Sequence, residues 1–254
     1  MKIGNYELIK QIGEGGFGRT YKARHIYLDE FACLKQNINI TDSDAKLLKN
    51  EAKLLWNIQH YSLPGMRDFF RANDGSYIMA MSFIEGKNLE DAVKKHKSIH
   101  PEDVCWLSQR VLNALSYLHH HGIIHGDVKP PNIIVQPKVH NAVLVDYGLA
   151  SLRPTRKTKP EGYTPVFAAP EITEGKPPIP QSDLYSLGLT MIYALGGNPI
   201  AKEYPSHVPK KLMGYIDDLV KYNPNDRTSW EKEDLIRKLS DVRYDIFGRR
   251  STVE

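Results

Sequence analysis

The stretch His125-Gly-Asp-Val-Lys-Pro-Pro-Asn132 decides the fold, because it places three chemically useful side chains between an apolar helical pattern and two short apolar runs. The Asp127 carboxylate can accept a proton from an attacking hydroxyl group. Lys129 can neutralise negative charge on a transferred group, and the amide oxygen of Asn132 suits a hard cation such as Mg²⁺. Each residue alone is ordinary, since a single Asp in a loop more often forms a turn.

A second carboxylate follows in Asp146-Tyr147-Gly148, directly after a strand pattern over 142–145. The order D-x-K-P-x-N and then D-aromatic-G resembles the catalytic and metal-binding loops of eukaryotic-like (Hanks-type) Ser/Thr protein kinases, in the style of bacterial members. The resemblance implies a bilobal α+β fold, with a small antiparallel β-sheet and one helix in the N-lobe and a larger, mainly helical C-lobe. It also implies a single kinase domain over 1–254, with the N-lobe at 1–84 and the C-lobe at 85–254.

The first third of the chain has the pattern of a small sheet with one helix. Short β-prone runs around 6–12, 20–23 and 31–35 predict antiparallel strands. A helix follows, with leucines at three- and four-residue steps and either Asp42 or Ser43 as its cap. Two more strands are predicted at 66–70 and 77–83, joined by a turn at Asn73-Asp74-Gly75, and the plausible hinge lies near 82–87.

The remainder of the chain is mainly helical in pattern. Asn88 can cap a short helix, and Pro101 stands where a first helical turn tolerates proline. An apolar face then runs from Val104 to Leu118 and ends at Gly122. Further helices are predicted over 184–195, 209–222 and 230–242.

Four glycines form the segment G-E-G-G-F-G at Gly13, Gly15, Gly16 and Gly18. Backbone amides without side chains can approach phosphate oxygens closely. The same spacing marks dinucleotide-binding folds, in which a helix follows the glycines. A strand pattern follows here, which favours a β-turn-β flap over phosphates, and a purely structural hairpin is the alternative.

The kinase resemblance implies how ATP is held. Lys35 would contact the α- and β-phosphates, and Glu51 on the following helix would hold that lysine in place. Cys33, Met81 and Phe83 would surround or hydrogen-bond the adenine. Apolar strands that bind no ligand would account for Cys33, Met81 and Phe83 almost as well.

The resemblance assigns the chemistry to the later loops. Asp127 would orient the substrate hydroxyl and accept its proton, and Lys129 would steady the γ-phosphoryl group. Thr164 would bond to both of these residues. Mg²⁺, or alternatively Mn²⁺, would be held by Asn132 and Asp146.

Two long-range matches extend the resemblance over nearly the whole chain. Glu171, in the segment T-P-V-F-A-A-P-E, would pair with Arg227 in N-P-N-D-R-T. Asp183 would open a buried helix and anchor the catalytic loop.

Gly126 departs from the family pattern, which has an arginine before the catalytic aspartate. That arginine meets a phosphate on the activation loop and helps to order it. We therefore expect activity to depend weakly on phosphorylation of Ser151, Thr155 or Thr158. The basic residues of this loop are interpreted as a solvated face, and the alternative is that they attract acidic substrates or order the loop. These residues are Arg153, Arg156, Lys157 and Lys159.

Composition limits the possible partners. A formal charge of +4 is mild and does not indicate the concentrated stripe of basic residues that binds nucleic acid. No run of apolar residues approaches the ~20 needed to span a membrane. With no apolar signal core, the chain is expected in the cytoplasm, as a monomer or weak homodimer that takes ATP and protein substrates. Cys33 and Cys105 are too few for a disulfide framework or a zinc knuckle. His119, His120 and His121 suit a helix end rather than a zinc site, and His125 has a packing role.

Two other functions share part of this pattern. H-G-D followed by an asparagine also marks small-molecule phosphotransferases such as aminoglycoside and choline kinases, which usually lack Lys129 and the segment 164–171. A pseudokinase would bind nucleotide without turnover, but Lys35, Asp127, Asn132 and Asp146 are all present.

Overall fold

The computed structural model describes residues 1–15, 18–37 and 41–250. The chain divides into two compact units, Met1–Glu85 and Gly86–Glu254. The glycine-rich segment belongs to the first unit and the H-G-D stretch to the second. Gly16, one of the four predicted glycines, lies outside the described residues.

The described residues of the first unit form an antiparallel sheet of six strands and one helix. The helix, α1, spans Asp42–Leu55 and packs on the last two strands. The spatial order of the strands is β1-β2-β3-β4-β6-β5. Their bounds are Lys2–Ile3 for β1, Tyr6–Gly15 for β2, Gly18–His25 for β3, Phe31–Gln36 for β4, Met66–Arg71 for β5 and Tyr77–Ser82 for β6.

Alternation along these strands gives the sheet its core face. Residues such as Ala23, Leu34 and Ile78 are fully buried, and they meet Ile3 and Tyr6 from the first two strands. Because side chains alternate across a strand, burial of Leu34 leaves its two neighbours on the other face. Those neighbours are Cys33 and Lys35, two of the residues predicted to face ATP.

In its described part, up to residue 250, the second unit has six α-helices and five short strands. The helices are α2 at Leu89–His96, α3 at Pro101–His120, α4 at Pro170–Thr173, α5 at Pro180–Ala194, α6 at Lys210–Leu219 and α7 at Leu235–Phe247. The strands are β7 at Lys87–Asn88, β8 at Ile123–Ile124, β9 at Ile133–Gln136, β10 at Asn141–Leu144 and β11 at Ser151–Leu152. They form a three-stranded sheet, β10-β9-β7, and a two-stranded sheet, β11-β8.

α5 is the central helix of the second unit. Leu184, Leu187 and Ile192 on this helix have no exposed surface, and α2, α3 and α6 all pack against it. Asp183 in its first turn is also buried. A buried carboxylate needs hydrogen-bond donors, and the catalytic loop supplies them, as described below.

The fold class predicted from the sequence is confirmed. The turn at 73–75, the Asn88 cap of α2 and the Pro101 start of α3 are also as predicted. The predicted cap of α1 was wrong, because the hydroxyl of Thr41 accepts the N–H of Asp44. The last helix begins at 235 rather than 230, since Asp234 caps it by accepting the N–H of Arg237.

Candidate active site

The catalytic loop is anchored by one buried carboxylate. Asp183 accepts the backbone N–H of His125 at its Oδ2 and that of Gly126 at its Oδ1, both at 2.8 Å. The two amides immediately precede Asp127, so the carboxylate fixes the backbone that presents this residue. The anchoring role predicted for Asp183 therefore has its expected contacts.

Asp127, Lys129 and Thr164 form one hydrogen-bonded group. The Thr164 hydroxyl donates to Asp127 Oδ1 at 2.7 Å and accepts from Lys129 Nζ at 2.9 Å. Lys129 Nζ also lies 2.7 Å from Asp127 Oδ2. Both predicted bonds of Thr164 are thus present, and the carboxylate of Asp127 is held beside a cation.

Asn132 is oriented by the same aspartate. Its Nδ2 donates to the backbone oxygen of Asp127 at 2.9 Å and to Asp127 Oδ2 at 3.0 Å. Because both partners can only accept, the amide nitrogen must face Asp127. The Oδ1 of Asn132 consequently faces away from Asp127 and suits a cation.

Asp146 lies close to Asn132 through the backbone. Strands β9 and β10 pair Leu144 with Ile133, and the N–H of Val145 donates to the Asn132 carbonyl at 2.9 Å. Asp146 follows directly, with an exposed carboxylate and a left-handed φ of 65°. The two predicted metal ligands therefore sit at the same end of this strand pair.

The donor set fits a hard cation. Within the described ranges, no three His, Cys, Asp or Glu side chains cluster closely enough to hold a metal ion alone. One amide oxygen and one carboxylate suit Mg²⁺, which usually binds one or two carboxylates together with substrate phosphates and water.

In the first unit, Lys35 and Glu51 form a buried pair. Lys35 Nζ lies 2.8 Å from both oxygens of Glu51, and both side chains are almost fully buried. The ammonium at the end of β4 is thereby held in one position by α1, which is the contact that the kinase resemblance implied. A buried ammonium fixed in this way is suited to contact an anionic ligand with little loss of freedom.

The described glycines of the flap support a hairpin. Gly13 lies opposite Thr20 and Gly15 opposite Gly18, so the described glycines belong to two paired antiparallel strands, and a strand rather than a helix follows them. This geometry argues against the dinucleotide-binding alternative. Gly18 has φ +150°, and a Cβ there would meet the backbone oxygen of Gln36 at 2.5 Å.

Two of the three predicted adenine residues, Cys33 and Met81, belong to the same sheet. Cys33 on β4 pairs in register with Met81 on β6. Phe83 follows β6 and contacts Phe31, with ring centroids 6.1 Å apart, and Lys22 Nζ lies over both rings. The Phe83 side chain therefore has a packing role, and any contact with a ligand would come from its backbone.

Gly126 occupies a position that a larger residue would strain. Its φ is +77°, and a Cβ would lie 2.6 Å from the backbone oxygen of Leu149. The chain passes so close at this point that the family's arginine could not be added without a backbone shift. The departure seen in the sequence is thus built into the local fold.

The predicted pair of Glu171 and Arg227 is present and fully buried. The guanidinium binds both carboxylate oxygens, at 2.7 and 2.8 Å, and Ser182 also donates to Glu171. Burial alone would raise the pKa of Glu171, but the bonds from Arg227 and Ser182 hold that pKa below its usual value. The segment 164–171 is therefore tied to the C-terminal part of the unit.

The bonds of His119 and Trp230 were not predicted from the sequence. His119 does not simply end a helix, because its imidazole is buried and bonds to Asp183 and to Trp230. Three adjacent histidines signalled only a helix terminus, and nothing in the sequence linked Trp230 to the site. His125 behaves as predicted: burial lowers its pKa, and its ring lies edge-on to Tyr147.

Comparisons with known proteins agree with this geometry. The family described as "Protein kinase domain" matches residues 6–245. The chain is 30% identical over 205 residues to the Ser/Thr-protein kinase pkn3 of Myxococcus xanthus, covering 76% of this chain and 38% of that protein. It is 32% identical over 212 residues to Ser/Thr-protein kinase D of Synechocystis, covering 76% and 41%. It is 28% identical over 250 residues to the Ser/Thr-protein kinase TIO of Arabidopsis thaliana, covering 91% and 19%.

The chain spans between about a fifth and about half of the length of the relatives it matches. No helix of the described residues is long and apolar enough to cross a membrane.

Proposed function

The chain belongs to the protein kinase family, and from that premise we propose that it transfers the γ-phosphoryl group of ATP to Ser and Thr hydroxyls of proteins. Autophosphorylation is part of the proposal. Protein kinases catalyse by positioning the reactants and stabilising charge, so the roles below are assigned on those two grounds.

In the proposed reaction, Asp127 orients the acceptor hydroxyl and takes its proton. Lys129 Nζ lies 2.7 Å from Asp127 Oδ2 and holds the carboxylate in position. Lys129 then faces the developing negative charge of the phosphoryl group. Thr164 holds the side chains of Asp127 and Lys129 in fixed positions through one hydrogen bond to each.

Nucleotide binding is assigned to the first unit and to the metal ligands. Lys35, held by Glu51, would contact the α- and β-phosphates, with the flap of Gly13, Gly15, Gly16 and Gly18 covering them. Cys33, Met81 and the backbone near Phe83 would hold the adenine.

Asn132 and Asp146 would hold Mg²⁺, or Mn²⁺ in its place. When bound, the metal would neutralise charge on the phosphates. Chelation of divalent metal should abolish turnover, and titration of Mg²⁺ against Mn²⁺ identifies the preferred ion.

The observation that carries the choice of a protein acceptor is the bridge made by Thr164. It joins the catalytic loop to the segment 164–171, which small-molecule phosphotransferases usually lack. The burial of Glu171 on Arg227 fixes the far end of that segment. Both contacts support a peptide platform beside Asp127 and count against a small-molecule acceptor.

The experiment that tests the proposal is metal-dependent transfer of labelled phosphate from ATP. Replacing Asp127 by alanine should lower kcat by about 10²–10⁴ if it acts as a base. Asp29→Asn, which alters an exposed carboxylate paired with Arg24, is the matched control. The assay compares a generic protein acceptor with a panel of hydroxylated metabolites. Phosphorylation of metabolites alone would overturn the assignment of a protein acceptor. Binding of ATP without any turnover would indicate a pseudokinase.

The remaining parts of the proposal concern location and assembly. Neither cysteine is in a disulfide, which fits a reducing compartment such as the cytoplasm. A monomer or weak homodimer, without nucleic acid, is proposed, and light scattering of the purified chain tests the oligomeric state.

A further inference from the structure

The imidazole of His119 stands between a buried carboxylate, Asp183, and a half-buried indole, Trp230. It lies in the last turn of α3, and its side chain is 3% exposed. Nε2 is 2.8 Å from Asp183 Oδ2, and the indole Nε1 of Trp230 is 2.8 Å from Nδ1. Trp230 is distant in sequence and lies between the Arg227 loop and α7.

The indole partner determines which nitrogen of His119 carries the proton. An indole N–H can only donate, so Nδ1 of His119 must be the acceptor and carries no proton. The proton of the neutral ring is then on Nε2, where it donates to Asp183. A doubly protonated ring would set one N–H against another and break the bond from Trp230.

The charged groups around His119 do not compete for this arrangement. Asp183 on α5 faces Nε2, and Glu231 beside Trp230 interacts with the imidazole only electrostatically. The indole ring and the imidazole meet edge-on, with centroids 6.2 Å apart. Trp230 thus contributes both packing and one directed N–H.

Asp183 passes this orientation to the catalytic loop. It accepts three hydrogen bonds, from His119, from the His125 N–H and from the Gly126 N–H. In the other neutral tautomer, the lone pair of Nε2 would face Oδ2, and the repulsion would turn the carboxylate away from one of these amides. The backbone that presents Asp127 would then lose part of its anchor.

We propose that Trp230 is a positioning residue, which fixes the Nε2-protonated tautomer of His119 and thereby holds Asp183 on the amides that precede Asp127. The proposal rests on the proposed kinase function, in which Asp127 is the catalytic carboxylate. Trp230 touches no reacting group and acts only through His119 and Asp183.

The first measurement needs no activity. Long-range ¹H–¹⁵N spectra of the wild-type chain should show His119 with a protonated Nε2 and an unprotonated Nδ1. Finding the proton on Nδ1, or on both nitrogens, at neutral pH would overturn the proposal even if Trp230 variants fail to fold.

The second measurement uses Trp230→Phe, which keeps an aromatic ring and removes the N–H. We expect the amides of His125 and Gly126 to exchange faster, and kcat to fall about fivefold, the size of one net hydrogen bond, with KM for ATP unchanged. Trp106→Phe is the matched control. Trp106 likewise belongs to the second unit, is buried, and donates its indole N–H to a carboxylate, Asp103, at 2.9 Å.

A double-mutant cycle shows whether Trp230 acts through His119. In a His119→Ala background, Trp230→Phe should change neither the two amides nor kcat further. Equal effects of the Trp230 and Trp106 variants would reduce Trp230 to a packing residue and refute the proposal. A wild-type chain without turnover would refute the kinase assignment alone, since the tautomer and the amide exchange still decide the role of Trp230.

Discussion

Thr164 shows how much a single hydroxyl can do in this site. The Thr164 hydroxyl donates its hydrogen bond to Asp127 and accepts one from Lys129. One side chain therefore bonds to a carboxylate and an ammonium at the same time. Removing it would leave both charged groups without a shared partner. The Thr164 side chain itself carries no charge.

We expect Thr164→Ala to lower kcat about 10- to 100-fold, because hydrogen bonds to charged groups contribute about 1.5–3 kcal/mol each. Thr164→Ser retains the hydroxyl and should stay close to wild type. Steady-state kinetics with ATP and a protein acceptor provide the measurement. Thr173→Ala, which removes an exposed hydroxyl bonded to the Pro170 carbonyl, is the control. A fully active Thr164→Ala variant would remove this residue from the proposed mechanism.

At this scale the sequence predicted contacts that lie within recognisable motifs. Asp127, Lys129 and Asn132 are close in sequence, and the position of Thr164 in its segment was informative. Trp230 could not be found, because a bond to His119 across the whole second unit leaves no spacing rule in the sequence. The backbone approach of Leu149 to Gly126 was equally hidden until the fold was known.

Helices α3 and α7 are joined at one end by an acidic residue with two arginines. Glu102, in the first turn of α3, accepts from Arg243 on α7 at 2.9 Å and from Arg249 at 2.6 Å. The hydrogen bond from Arg249 is the main cause that lowers the pKa of Glu102 from 4.5 to about 2. The first turn of a helix also favours a negative charge.

The sign of this shift predicts an acid-sensitive contribution to stability. Because the folded pKa lies below the unfolded one, Glu102 stabilises the fold above pH 4.5, and the contribution is lost as the pH falls toward 2. At pH 7, the Glu102→Gln variant should therefore unfold at a lower urea concentration than wild type. Between pH 4.5 and pH 2, it should lose less stability than wild type loses. Glu90→Gln, in an exposed pair with Lys94, should change little. Parallel stability curves for wild type and Glu102→Gln across this range would contradict the prediction.

The existence of the elements was predictable, whereas several ends were not. Periodicity indicated α1 and α7, but the caps at Thr41 and Asp234 depend on which side chain reaches a free backbone N–H. The short strands β7, β8 and β11 are only two residues each, too short to show any alternation. Their pairing comes from tertiary contacts.

The buried pair of Glu171 and Arg227 connects distant segments of the second unit. Arg227 also donates to the backbone oxygens of Lys221, Gln181 and Tyr222, so one guanidinium satisfies three carbonyls besides the carboxylate.

Arg227→Met should destabilise the unit by about 3–5 kcal/mol, since it leaves the buried Glu171 carboxylate without its cation. Glu171→Gln should cost less, because an amide oxygen can still accept. Chemical unfolding measures both, and Arg24→Met, at an exposed pair with Glu7, is the control. Equal stability of Arg227→Met and wild type would refute the structural role.

At the scale of the whole molecule, the sequence placed a hinge near 82–87, and the two compact units meet in sequence at Glu85 and Gly86. The prediction of the hinge was based on the change from a strand pattern to a helix pattern at this point. The order of the strands within the first unit could be expected only through the family resemblance. Local patterns give strands but not their neighbours.

The last prediction concerns how the whole domain is switched on. The segment after Asp146 is ordered here by its own backbone: Ser151 pairs with Ile124, the N–H of Arg153 donates to the Gly122 carbonyl at 2.6 Å, and the N–H of Thr158 donates to the Thr155 carbonyl at 2.9 Å. None of these bonds needs a phosphate, and Gly126 supplies no arginine to receive one. A variant with alanine at 151, 155 and 158 should therefore keep kcat within about threefold of wild type, because no charge-assisted contact is lost.

The measurement compares wild type, the triple-alanine variant and phosphatase-treated wild type, with intact mass reporting phosphate content. Arg153, Arg156, Lys157 and Lys159 are the remaining cations of the loop that could bind a phosphate, and replacing these four by glutamine serves as the second arm. Loss of nearly all turnover in both the triple-alanine variant and the glutamine variant would contradict the prediction. Activation would then depend on phosphorylation of the loop, with the loop's own cations binding the phosphate in place of the missing arginine. Retained activity in the triple-alanine variant would instead mean that the backbone contacts of β11 are sufficient to hold the segment, so that regulation must act elsewhere.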